Sequence, residues 1–212
     1  MNLRRTLTVA AACAASLLCA APMRMDWKAI PEAPAAVARP FAGLVGGRLL
    51  FAGGSTYAAT KDYVATISAY DPKRNVWEAL GALPEGVAEG GAVALPEGLV
   101  CVGGVTTKGP TGKAFLLKAD GSREALPDFP HGTLSMTAAA PWEGGAAFAC
   151  GLLNGKPTNR VFTLRKKDGA WIWGELPPLP GPARNQAVAT AQNGDQKSPV
   201  LAVFGGIVTA GD

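Results

Sequence analysis

The sequence predicts an all-β protein, a β-propeller assembled from consecutive four-stranded antiparallel units, and three observations carry that prediction. Apolar runs of a few residues recur along the chain, each closed by Gly, Pro or Asp, as in LLFAGG (49–54) and ISAYDP (67–72). Gly 27 and Pro 17 in 212 residues suit many short strands joined by tight turns. No apolar stripe of helical period runs beyond two turns after residue 25.

The stretch Leu49–Pro84 is the template unit, and its markers repeat. Glycines close a strand at Gly53-Gly54, Gly103-Gly104, Gly151 (followed by Leu152) and Gly205-Gly206, in steps of 50, 48 and 54. A second marker runs in register with the first: Trp27, Trp77, Arg123 and Trp173 step by 50, 46 and 50. Diglycine, then Tyr-Asp, then Trp at this period is the signature of a kelch-type blade.

Each unit divides into four strands. The first is VARPFAGLV, AEGGAVAL, LSMTAAAPW or RNQAVATA, and the second RLLFAGG, GLVCVGG, GAAFACG or PVLAVFGG. The third is ATISAY, KAFLLKA or RVFTLR, and the fourth VWEAL, REAL or WIWGEL. A blade packs both faces on its neighbours, so apolar residues belong on both faces. Trp77 and Trp173 are accordingly expected to pack between blades.

Residues 1–20 read as a secretory signal: Arg4 and Arg5, an apolar centre, then small residues before Pro22. Residues 21–212 are the propeller, expected in the periplasm or outside the cell, with no membrane association once the signal is cleaved. The formal charge of +4 loses two units with Arg4 and Arg5, and no basic block with interleaved aromatics remains, which argues against nucleic acid. Cys101 and Cys150 fall in a compartment where a disulfide is permitted. They lie two residues and one residue before a glycine, so alternation points them to opposite faces, as buried small hydrophobes.

The units amount to about four blades, the last breaking off after its second strand, with 207–212 (IVTAGD) as the start of a loop. Closure at four would need the Trp27 segment to supply a missing strand. A six-bladed parent is the favoured explanation, the blades present being about four of six.

LLFAGG after VARPFAGLVGG, and WGELPPLPGPARNQAVAT followed by LAVFGG, resemble the bacterial sialic acid mutarotases (N-acetylneuraminate epimerases), exported six-bladed kelch propellers. Residues about 30–125 look like the family's last two blades and about 126–207 like its first two, the order of its cyclically permuted branch. The resemblance implies interconversion of the α and β anomers of free sialic acid. A base takes the anomeric hydroxyl proton, an acid protonates the ring oxygen, and no metal or organic cofactor is required. A fixed cation should hold the sugar carboxylate. The family's catalytic glutamate and a following arginine belong to a blade placed after Asp212 in permuted order, and CGLLNGKPTN offers no acid at the third glycine marker.

Propeller ligands bind where first strands and the loops entering them converge. Arg184-Asn185-Gln186 matches the family's Pro-Arg-Asp-Gln stretch with Asn185 in place of the acid, so the resemblance makes Arg184 and Asn185 substrate-binding candidates. Arg39 is expected at the equivalent place in the first unit. Glu89, a carboxylate in an otherwise apolar inner strand, and His131, the single histidine, are the acid/base candidates. One histidine makes no zinc site. Lys61, Asp62 and Tyr63 sit in a loop long enough to reach over the mouth. No Ser-His-Asp order or phosphate loop occurs. Non-catalytic binding of a glycan or protein is the alternative function.

Overall fold

A computed structural model describes residues 25–57, 60–193 and 199–208 of the chain. The expected leader, 1–20, and all but the first two residues of the expected loop start, 207–212, lie outside the described residues. Residues 25–30 belong to a unit apart from Pro31–Asp212 and hold no strand. No helix among the described residues is long and apolar enough to cross a membrane.

The larger unit is a β-propeller of three four-stranded blades and a two-stranded fourth. Blade 1 comprises Phe41–Val45, Arg48–Ala52, Thr66–Asp71 and Val76–Ala82, in that order across the sheet. Blade 2 comprises Gly91–Leu95, Gly98–Val102, Ala114–Leu117 and Arg123–Ala125. Blade 3 comprises Ala138–Trp142, Gly145–Leu153, Lys156–Lys167 and Ala170–Leu176. Val188–Asn193 and Pro199–Phe204 form the fourth sheet. The first strands of consecutive blades lie side by side, which makes them the inner wall.

Apolar side chains fill the seams between blades. Phe41, Leu50, Ile67, Leu99 and Leu117 pack in the seam between blades 1 and 2. Val100, Leu116, Phe148, Phe162 and Leu164 close that between blades 2 and 3. All five residues of Gly98–Val102 are buried, as two packed faces demand. Val188, Val200 and Phe204 of the last sheet are exposed.

Two backbone devices join the blades. Arg39, Glu89, Met136 and Gln186 each precede an inner strand in the left-handed conformation, with φ of 52, 66, 51 and 57°. Around the axis, the N–H of Glu89 donates to the Arg39 carbonyl at 3.0 Å, Met136 to Glu89 at 2.7 Å, and Gln186 to Met136 at 2.9 Å. The second device uses the glycine markers: the N–H groups of Gly54, Gly104 and Gly151 donate to the carbonyls of Val87, Leu134 and Arg184 in the next blade, at 2.8, 2.8 and 2.9 Å.

This register corrects the third glycine marker. Gly151 aligns with the second glycine of each pair, and Cys150, at φ 50°, stands where Gly53 and Gly103 stand at φ 70° and 67°. The pairing slips at that point, between Ala149 and Gly151, so one cysteine takes a place that glycine holds elsewhere. Both cysteines are free and buried, Cys101 among the side chains of the first seam and Cys150 in a separate cluster with Ala138 and Val161. Burial pushes both thiols up; for Cys150 a backbone hydrogen bond at Ala138 and, less strongly, the Arg184 charge partly offset it. The first strands are also shorter than the sequence suggests, because each left-handed residue breaks the run ahead of it.

Candidate functional site

The four left-handed residues converge on the axis. Arg39, Pro40, Glu89, Gly90, Met136, Thr137 and Gln186 line an open cavity of about 300 Å³ at the mouth of the inner wall. Left-handed backbone at a non-glycine residue is costly and often marks function. Here Met136 shares it, so the kink is architecture. The residue types at the kinks supply the chemistry.

Glu89 is the focus. Its side chain is only 3% exposed, yet it remains ion-paired. Lys61 donates from Nζ to Oε1 at 2.6 Å, and Nη1 of Arg39 lies 3.7 Å from the same oxygen. Nη2 of Arg39 also donates to Oε1 of Gln186 at 2.6 Å, tying the first unit to the fourth. Lys61 reaches the mouth because 55–57 and 61–63 pair as a hairpin after the first diglycine. The hydrogen bond to Glu89 holds the Lys61 ammonium above its ordinary range, against a smaller opposing effect of desolvation. A nearly buried carboxylate with both cations on one oxygen is a fixed charge constellation at the edge of a cavity.

The sequence candidates separate in space. Arg39 and Glu89 meet at the mouth, and Lys61 joins them. Arg184 does not line this cavity. It lies two residues before the axial position, where Val87 and Leu134 are buried in their own units, and its guanidinium donates to the carbonyls of Pro182 and Gly205, each at 3.3 Å. Asn185 is 9% exposed, and its backbone pairs with Ile207 in both directions, at 3.1 and 2.8 Å. The true counterpart of Arg39 is therefore Gln186. His131 is exposed on a turn beside the rings of Phe129 and Phe162, 5.5 and 5.3 Å away, and is not among the residues lining the cavity. Gln186 and Met136 are the axial residues that sequence reasoning missed. Their signal was present: Arg39 to Glu89 and Met136 to Gln186 are both steps of 50. Among the described residues no group of three or more His, Cys, Asp or Glu is placed to hold a metal ion.

No family model matches the sequence, and no curated protein matches it. Solved structures do match. That of YjhT superposes with a TM-score of 0.70 at 16% identity, over 79% of this chain and 60% of that one. This chain thus spans less than two thirds of that structure. At that identity the likeness speaks for the fold alone, and the chain is a β-propeller in its blade order, its inner strands and its seams.

Proposed function

We propose that this propeller is exported and interconverts the anomers of free N-acetylneuraminate at its axial mouth. The observation that carries the reading is Glu89, a nearly buried carboxylate paired with Lys61 beside a cavity that also presents Arg39. The sequence resemblance to sialic acid mutarotases supports the choice of sugar.

The chemistry uses groups already in place. Glu89 takes the proton of the anomeric hydroxyl as the bond between the anomeric carbon and the ring oxygen breaks. The Lys61 ammonium protonates that oxygen. The open keto form turns and recloses on its other face by the reverse steps: Lys61 takes back the proton of the ring hydroxyl and Glu89 returns its proton to the new anomeric oxygen, which restores the pair. Arg39 exchanges Gln186 for the sugar carboxylate, an acceptor its guanidinium matches better than an amide oxygen.

Magnetization exchange between the two anomers tests this. The protein should raise the exchange rate above its buffer value, and Glu89→Gln should remove about a hundredfold or more of that enhancement. Arg39→Ala should weaken sugar binding by about tenfold, the loss of a charge-assisted hydrogen bond. Exchange at the buffer rate in the presence of a sugar that still perturbs the protein's spectra would favour a non-catalytic binding propeller. Met136 and Gln186 at two of the four axial positions support that second reading, since neither is an acid or base.

A further inference from the structure

Blade 2 departs from blade 3 at one place in the seam. Trp77 and Trp173 pair across the outer strands with Tyr70 and Leu164, and Arg123 pairs with Leu117 at the same step. In the seam between blades 2 and 3, the Trp173 ring lies 5.2 Å from Phe129 and 5.8 Å from Phe148, and its Nε1 donates to the Pro127 carbonyl at 2.8 Å. In the seam between blades 1 and 2, Cys101 has the place of Phe148, two residues before the first marker position. Leu83 has the place of Phe129: its N–H donates to the Ala65 carbonyl at 2.7 Å as that of Phe129 donates to Gly112 at 2.8 Å. Three aromatic positions thus hold Arg, Leu and Cys.

The volume given up beside Leu83 and Arg123 is open. A cavity of about 510 Å³ lies in this wedge, with Leu83, Phe115 and Leu126 as its apolar wall. It shares no lining residue with the axial mouth. Each carboxylate on its rim has a lysine: Asp128 with Lys113 at 2.7 Å, Glu85 with Lys108 at 3.4 Å, and Glu124 with Lys118 at 3.6 Å. Arg123 is exposed and has no ion-pair partner among the described residues.

We propose that this wedge is a second ligand site, for a small planar aromatic anion. The ring takes the place that the Trp173 indole takes in the next seam, against Phe115 and Leu83, and the carboxylate meets the Arg123 guanidinium at the mouth. The size fits a drug-sized organic molecule, and an apolar wall with one unpaired cation selects a ligand with one negative end. The proposal is independent of the sugar reading.

Titration of the native protein with indole-3-acetate, followed by NMR and calorimetry, tests it. Saturable one-site binding is expected, unchanged by saturating N-acetylneuraminate. Arg123→Ala should weaken indole-3-acetate by about tenfold while leaving the neutral 3-methylindole unchanged, and Arg123→Trp should abolish binding of both by filling the wedge. If the tryptophan variant fails to fold, Leu83→Phe narrows the same wedge from its other wall and should weaken both ligands. Absence of saturable binding, undiminished binding in the filled variants, competition by N-acetylneuraminate, or equal loss of 3-methylindole in Arg123→Ala would each overturn the proposal.

Discussion

The two inner seams run on the same hydrogen-bond register and are filled in opposite ways. Between blades 2 and 3, Phe129 meets the Trp173 ring edge-on and Phe148 meets it at a tilt, so aromatic rings occupy the wedge. Between blades 1 and 2 the same positions carry Arg123, Leu83 and Cys101, and a cavity of about 510 Å³ remains. Yet Gly54 donates to Val87 and Gly104 to Leu134 at the same 2.8 Å. The backbone near the axis holds the blades in register, and the side chains farther out decide whether a seam is sealed or can receive a ligand. A propeller can therefore vary its outer wedges without losing the register between its blades, because the repeat is written in main-chain hydrogen bonds and left-handed turns.

The sharpest way to break the comparison is to attack the shared register. A methyl group added at Gly103 would lie 1.9 Å from the Leu134 carbonyl oxygen, at a residue with φ +67°. Gly103→Ala should thus destabilise by more than about 4 kcal/mol, in the range reserved for outright steric conflict. Gly205→Ala, with similar φ of +63° and nothing within 4 Å of the added methyl, should cost only the left-handed strain of about 1 to 2 kcal/mol. Equal midpoints for the two variants in denaturant would show that the carbonyl contact does not matter.

Next in size is the filling. Trp173→Ala should lose about 3 to 5 kcal/mol, the usual cost of deleting a packed aromatic. Arg123→Ala, at the matching step of the open seam, should stay within about 0.5 kcal/mol, as for an exposed side chain. Thermal unfolding of the pair reads the difference directly, and similar losses would mean that Arg123 packs as Trp173 does.

The smallest effect is electrostatic. Arg160 donates to both oxygens of Glu175 at 2.7 Å, and this holds the Glu175 carboxyl below its ordinary 4.5, with a smaller contribution from the charge of His131. Because the folded value is the lower one, the pair's stabilisation is present above about pH 4.5 and is lost as pH falls through the depressed folded value. Both side chains are more than a third exposed, so the contribution is modest and screened by salt. Arg160→Gln should shift the acid-unfolding midpoint slightly upward at low salt and leave it unmoved at high salt.

Much of this architecture was legible in the chain. Apolar runs closed by Gly and Pro marked the strands, and the paired markers Trp77 and Trp173 belonged to the outer strands at the expected step. The candidate site was only partly legible. Arg39 and Glu89 could be named because a charged residue ahead of an apolar inner strand stands out. Arg184 stood out for the same reason and lies two residues off the axis, while Gln186, the axial residue beside it, carries no charge to draw notice. Alternation tells which face a side chain takes along one strand, and a shift of two residues leaves that face unchanged.

By itself the sequence determined the kind of fold, the repeat and which residues are apolar enough to fill a seam. Local punctuation and period suffice for that, since each blade is built from neighbours in the chain. The tertiary structure alone decided which of several polar residues meets another at the axis, that Cys150 takes a glycine's left-handed place, and that Arg123 stands beside an open wedge. Those depend on contacts between units about 50 residues apart. They are set where one blade's carbonyl receives the next blade's N–H, and no period within a single strand records that register.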